Sequence, residues 1–171
     1  MQDVNRSGAS RMRWMLGLLF AFLMLPALVA APAQAISSNT SAVPPVAVVT
    51  VQIVDTDGTV LFSERVVTRT HDVTTESGGT HTCDGTNGGA NSTPGPTVTG
   101  ALDDAASAYG FTWDGVYYSQ FDDFFITEIN GQSGTSNSYW AITVNGEYLQ
   151  VGGCQYQVRT GDTITFTMTT F

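Results

Sequence analysis

Alternation of apolar and polar positions organises the chain beyond position 45. Val49, Val51 and Ile53 alternate with Thr50 and Gln52, which predicts a half-buried strand over Ala47–Val54. Asp55-Thr56-Asp57-Gly58-Thr59 reads as a turn, and Val60–Thr68 as an antiparallel return strand. Asp55-x-Asp57-Gly58 resembles the start of a calcium loop, but the later ligands and closing Glu are absent at the required spacing, which favours a plain turn. Residues 70–96 are rich in Gly, Thr, Ser and Asn and carry few apolar side chains, so they are expected to form a long loop, functional or disordered. A helix follows. Thr97 or Thr99 can cap it, Leu102, Ala105, Ala106 and Tyr109 share one face, and Gly110 is a C-terminal stop.

Past the helix, aromatic residues crowd the stretch from Tyr109 to Tyr148. Phe124–Ile129 reads as a strand ending at Asn130-Gly131. Tyr139–Val144 and Glu147–Val151 read as a hairpin closed by Asn145-Gly146. Gln155–Val158 is a short strand by the same pattern, followed by a turn at Thr160-Gly161-Asp162. The last strand alternates Ile164, Phe166 and Met168 with threonines. Two strands, one helix, then three or more strands is the order of an α+β fold of the β-grasp type, a mixed sheet packed on a single helix.

The first 35 residues change the picture of where the protein works. Arg6, Arg11 and Arg13 precede an apolar run from Trp14 to Ala30, and Ala33-Gln34-Ala35 matches a small-residue cleavage pattern. This predicts a signal peptide over residues 1–35, a linker over 36–45 and a secreted, extracellular domain over 46–171. If the segment is not cleaved, the apolar run is just long enough to act as a membrane tether. The whole chain carries a net charge of −9 and no lysine. Beyond residue 35 only Arg65, Arg69 and Arg159 are basic, which excludes nucleic acid and anionic membrane as partners because phosphates would go unneutralised. Asn39-Thr40-Ser41 and Asn91-Ser92-Thr93 are glycosylation sequons in a host that uses them.

Two cysteines, Cys83 and Cys154, complete the inventory. In an exported chain an even count reads as a disulfide, here closing a loop of about 70 residues worth roughly 4 kcal/mol in the chain-entropy model. Metal ligation by Cys83 with His71 and His81 is the competing reading, but the paired short spacings of a zinc site are missing, so no metal or other cofactor is expected.

Catalysis finds little support. Both histidines lie in or beside the 70–96 segment, no G-x-S-x-G is present, and no phosphate-cradling loop is followed by a basic residue. Adjacent acids at Asp103-Asp104 and Asp122-Asp123 diverge on a helix or strand, so neither makes an acid–base pair. No catalytic residue is assigned and the protein is expected not to be an enzyme. The aromatic excess suits binding instead. Tyr117, Tyr118, Tyr139 and Trp140 adjoin turns and are expected near the surface, where they fit a flat apolar ligand, a glycan or a protein.

The sequence Tyr139-Trp140-Ala141-Ile142-Thr143-Val144-Asn145-Gly146, with Gly161-Asp162 and the strand after it, resembles the C-terminal β-domain of transcobalamin and intrinsic factor and its uncharacterised secreted relatives. The resemblance runs from about Val46 to Phe171, and the 70–96 loop is an elaboration on it. It implies the same fold class and a ligand-facing role for Tyr139 and Trp140, extended to Ala141 and Ile142 beside them. The implied function is capture of a soluble ligand, with corrinoids among the candidates, although the large helical domain of those carriers has no counterpart here. The alternative is a cell-surface adhesion or protein-interaction module, whose partner would be an extracellular protein or glycan.

Overall fold

The structure, a computed structural model, describes residues 45–171. The expected signal peptide, nearly all of the linker and the sequon at Asn39 lie outside the described residues. The elements are β1 (Val46–Val54), β2 (Val60–Arg69), β3 (His71–Thr75), β4 (Gly79–Cys83), α1 (Val98–Tyr109), β5 (Trp113–Tyr118), β6 (Asp123–Ile129), β7 (Gln132–Ser133), β8 (Ser138–Val144), β9 (Glu147–Tyr148) and β10 (Thr163–Thr170). They form a five-stranded sheet in the order β2-β1-β10-β8-β9, a β3-β4 hairpin and a three-stranded sheet β5-β6-β7. β1 and β10 pair parallel at the centre of the large sheet and the other pairings are antiparallel. The fold is therefore α+β, with one mixed sheet, one α-helix and one disulfide.

The core follows from the alternation. Val49, Val51 and Ile53 of β1 and Ile164, Phe166 and Met168 of β10 turn to one side, where they meet Leu102 and Ala105 of the helix and Ile126 and Ile129 of the small sheet. Threonines and Gln52 coat the opposite face, where Thr165 donates to Gln52 Oε1 and Gln52 Nε2 donates to Ser63. Thr97 caps α1: its Oγ1 accepts from Gly100 N at 3.0 Å. Gly110 ends the helix in the left-handed region at φ 75°, where a side chain would be strained. Tyr109, expected on the buried face, is half out of it. Its hydroxyl donates to Arg65 O and its ring meets Phe62 edge-on.

Two sequence expectations are corrected. Residues 71–83 of the expected loop form the β3-β4 hairpin. Its composition hides the strand because only Val73, Thr75 and Cys83 turn inward, and threonine, a β-branched residue, serves a strand as readily as a loop. Gln155–Val158 is not a strand; Gln155 closes a turn, Gln157 makes one isolated bridge with Thr97, and the rest is irregular. Its backbone is drawn to the helix start instead, where Val98 N donates to Tyr156 O.

Candidate functional site

β8 and β9 leave the Asn145-Gly146 turn with Thr143 opposite Tyr148 and Val144 opposite Glu147. One more backbone bond follows, from Leu149 N to Ile142 O at 3.2 Å, and the pairing then stops. The chain peels away at Gln150 and bends through Gly152-Gly153, so Leu149 and Val151 face β6 across an open groove rather than continuing the sheet. That bend is held by Asp123 at the start of β6, whose carboxylate accepts from Gly153 N at 2.9 Å and Cys154 N at 2.8 Å. Gly152 is required at this point, since a Cβ there would lie inside contact distance of the Asp123 carboxylate. Burial pushes the Asp123 carboxyl up, against the opposing pull of the backbone N–H groups of Cys154, Phe124 and Gly153.

The groove has two connected parts. One, of about 570 Å³, is lined by Tyr118, Phe121, Phe124, Phe125, Leu149 and Val151. The other, of about 340 Å³, adds Tyr139, Trp140, Ala141 and Ile142. Asp123, Phe124, Phe125 and Leu149 line both parts, so they are one continuous concavity. Its rim is unusually apolar for a surface: Phe121 is 68% exposed, Tyr148 63% and Phe125 51%. At the far end Phe171 stacks on Tyr139 with ring centroids 4.8 Å apart.

The four residues expected to face a ligand are brought to this groove, but not in the manner expected. Trp140 is 4% exposed and belongs to the main core, with its indole N–H donating to Gln132 O at 3.3 Å. The expectation of a surface tryptophan is corrected: Met168 of β10 sits opposite it in register, and the small sheet covers it. Ala141 is also buried, and Tyr139 and Ile142 are half-buried. Of the two other expected surface rings, Tyr118 is exposed. Tyr117 is instead sandwiched flat on His81, with centroids 3.4 Å apart. Tyr117 donates to Asp122 Oδ1 at 2.6 Å, and that bond to a carboxylate raises the phenol to about 12.

Phe121, Phe125, Leu149 and Val151 line the groove and are not among the residues expected there from the sequence. One signal was available: Phe124 and Phe125 are neighbours in a strand, so their side chains must point to opposite faces and only one can enter the core. Phe124 is buried and Phe125 is the outward one.

Both cysteines and both histidines are structurally engaged. Cys83 and Cys154 are joined in a disulfide. His71 pairs with Asp103 at 3.1 Å and donates through Nδ1 to Arg69 O, and His81 donates to Gly78 O. Among the described residues no group of three or more His, Cys, Asp or Glu is arranged to hold a metal ion. Nor is any helix among them long and apolar enough to cross a membrane.

The domain is thus an α+β domain with an aromatic-rimmed groove between its two sheets. Residues 95–170 match the family described as "Domain of unknown function (DUF4430)". Among solved structures, the chain is similar to haptocorrin, determined in complex with Cbi, at 16% identity and a TM-score of 0.49; the match covers 75% of this chain and 26% of haptocorrin. It is also similar to a protein from Ruminococcus gnavus described as "a putative metal binding protein", at 16% identity and a TM-score of 0.42, over 73% of this chain and 98% of the other. The chain therefore spans about a quarter of the haptocorrin it matches. No curated protein matches the sequence.

Proposed function

We propose that this is an extracellular, non-enzymatic binding domain that holds a planar, largely apolar soluble ligand in the groove between β6 and the β8–β9 arm. One observation carries the reading: Tyr118, Phe121, Phe125 and Tyr148 are all exposed and Phe124 is buried beside them, around a single concavity of ligand size. Aromatic side chains left in water at that density find their compensation in a partner surface. The engagement of both histidines in structural hydrogen bonds supports the absence of acid–base catalysis. The Cys83–Cys154 bond supports an oxidising compartment. The order β2-β1-β10-β8, with its central parallel pair, supports the β-grasp reading of the fold.

Corrinoids head the candidates because the resemblance of the Tyr139–Gly146 segment to cobalamin carriers points there. The groove is open on one side, so a lone domain offers a wall rather than a cage, and modest affinity is expected unless a partner covers the ligand. The test is a binding screen of the purified protein against corrinoids and other planar ligands, with Phe125→Ser as the control. Binding that Phe125→Ser abolishes supports the groove. Binding that survives it unchanged places the ligand elsewhere. Association with a protein surface and no small ligand replaces ligand capture with a contact role.

A further inference from the structure

A further concavity of about 420 Å³ lies beyond the aromatic groove; its lining has only Val151 in common with the groove, and a third concavity beside Asn87, Phe121 and Gln155 lies between the two. The walls of the further one are carboxamides: Asn87, Asn91, Asn145, Gln155 and Gln157. We propose that this cleft binds a neutral saccharide.

Gln155 makes the cleft a built site rather than a dent. The residue is 8% exposed, and its amide nitrogen donates to Phe121 O at 3.1 Å and to Asp122 O at 3.0 Å. Its carbonyl oxygen accepts no hydrogen bond among the described residues, and the residue lines both this cleft and the adjoining concavity beside Phe121 and Asp122, so the amide group is held in place with its acceptor unspent. The opposite wall is equally fixed. Gly85 N donates to Cys154 O, Asn91 Nδ2 to Gly85 O, and Gln157 Nε2 to Thr93 O at 2.7 Å. The disulfide ties the two walls together. Preorganised donors and acceptors of this kind retain most of their hydrogen-bond energy on binding, because little ordering remains to be done.

The charge pattern selects a neutral ligand. Asp162, the carboxylate of the cleft, is occupied internally: Oδ1 accepts from Asn145 Nδ2 and Oδ2 from Arg159 N. Each oxygen of this lone carboxylate already has an internal donor, which weakens its pull on a cation. Arg159 is the cleft's one basic side chain, in a protein of net charge −9, so a polyanion would meet repulsion. What remains is a set of planar amide groups, the Arg159 guanidinium and the Tyr156 hydroxyl, which makes no hydrogen bond among the described residues. The Tyr156 ring is half-buried and packs against the core. Paired donors and acceptors beside a packed ring match the alternating hydroxyls and apolar face of a pyranose.

The test titrates the purified protein with cellobiose, maltose and chitobiose and follows backbone amide resonances. Expected are shifts confined to Asn87–Asn91 and Gln155–Arg159, weakened about fivefold by Tyr156→Phe or Arg159→Ala, the worth of one hydrogen bond. Neither substitution removes a structural contact made by those polar groups, since it is the Arg159 backbone that holds Asp162. Phe125→Ser, which alters the aromatic groove alone, leaves saccharide binding intact. The proposal is overturned if none of the three sugars shifts the cleft, if both cleft variants bind like the parent, or if Phe125→Ser removes the binding. The first two outcomes leave the aromatic groove reading standing, and loss of planar-ligand binding in Phe125→Ser is read separately.

Discussion

The carboxylate of Asp123 accepts a hydrogen bond from the backbone of Cys154 at 2.8 Å, tying the start of β6 to the disulfide-bearing bend that forms the far side of the groove. A second bond, from Gly153, uses the other oxygen. The groove therefore depends on a half-buried acid whose charged form is disfavoured by burial. Removing it with Asp123→Ala leaves two backbone N–H groups without their acceptor and is expected to cost about 1–3 kcal/mol at neutral pH, measured by chemical denaturation.

The same residue gives a pH dependence of definite sign. Burial raises its folded-state pKa above the ordinary 3.8. The neutral acid's contribution to stability is therefore full below that value and is lost as pH rises through the folded pKa. Asp123→Asn does not titrate. The stability difference between wild type and Asp123→Asn should fall as pH is raised from the acid side, and a difference independent of pH would mean that the carboxyl is not perturbed.

His71 titrates at the other end of the scale. Its hydrogen bond to Asp103, aided by Arg69 O and the charge of Asp104, raises it from 6.5 to about 9 despite partial burial. Stability from this pair is fully present below pH 6.5 and is lost as pH rises through about 9. Because the pair joins β3 to α1, alkaline loosening should begin at the β3-β4 hairpin. A histidine resonance titrating near 9, absent in His71→Gln, is the expected observation; a midpoint near 6.5 would refute it.

The strand pattern made the large sheet legible because β1, the end of β2 and β10 bury one face, and period-two alternation is the direct record of that. The helix was legible for the same reason, through Leu102 and Ala105 on its buried stripe and Thr97 and Gly110 at its ends. The β3-β4 hairpin was not. A strand needing only Val73 to anchor it has almost no alternation to show, and its position is fixed by contacts with Trp113, Tyr117 and Phe124, distant in sequence. The site was half legible. The aromatic excess and the Tyr139–Ile142 strand pointed to one wall of the groove, yet whether Trp140 or Phe125 faces water depends on the small sheet packing over β8, which no local pattern records.

The disulfide couples that non-local hairpin to the groove. Cys83 ends β4 and Cys154 closes the Asp123-held bend. Cys154→Ala should lower stability by about 2–5 kcal/mol, the usual range for a small disulfide-bonded domain. The thermal transition of wild type in reductant should then approach that of the variant. An unchanged transition would mean that the packing of Val73 and Phe124 holds the hairpin unaided.

Trp140 and Phe125 separate structure from binding. Trp140 is buried against Met168, so Trp140→Ala opens a core cavity and is expected to cost about 3–5 kcal/mol whether or not any ligand exists. Loss of binding in that variant would therefore say little. Phe125 is half exposed on the groove rim, makes no polar contact there, and its neighbour Phe124 supplies the core ring. Phe125→Ser should change stability by no more than about 0.5 kcal/mol, as surface substitutions do, while removing a ring that lines both parts of the groove. Denaturation of both variants, followed by titration of Phe125→Ser with whatever ligand the screen identifies, divides the two roles. If Phe125→Ser is the strongly destabilised variant, the ring belongs to the core and the groove is not a preformed site; if it is stable and binds as well as wild type, the ligand does not use the groove.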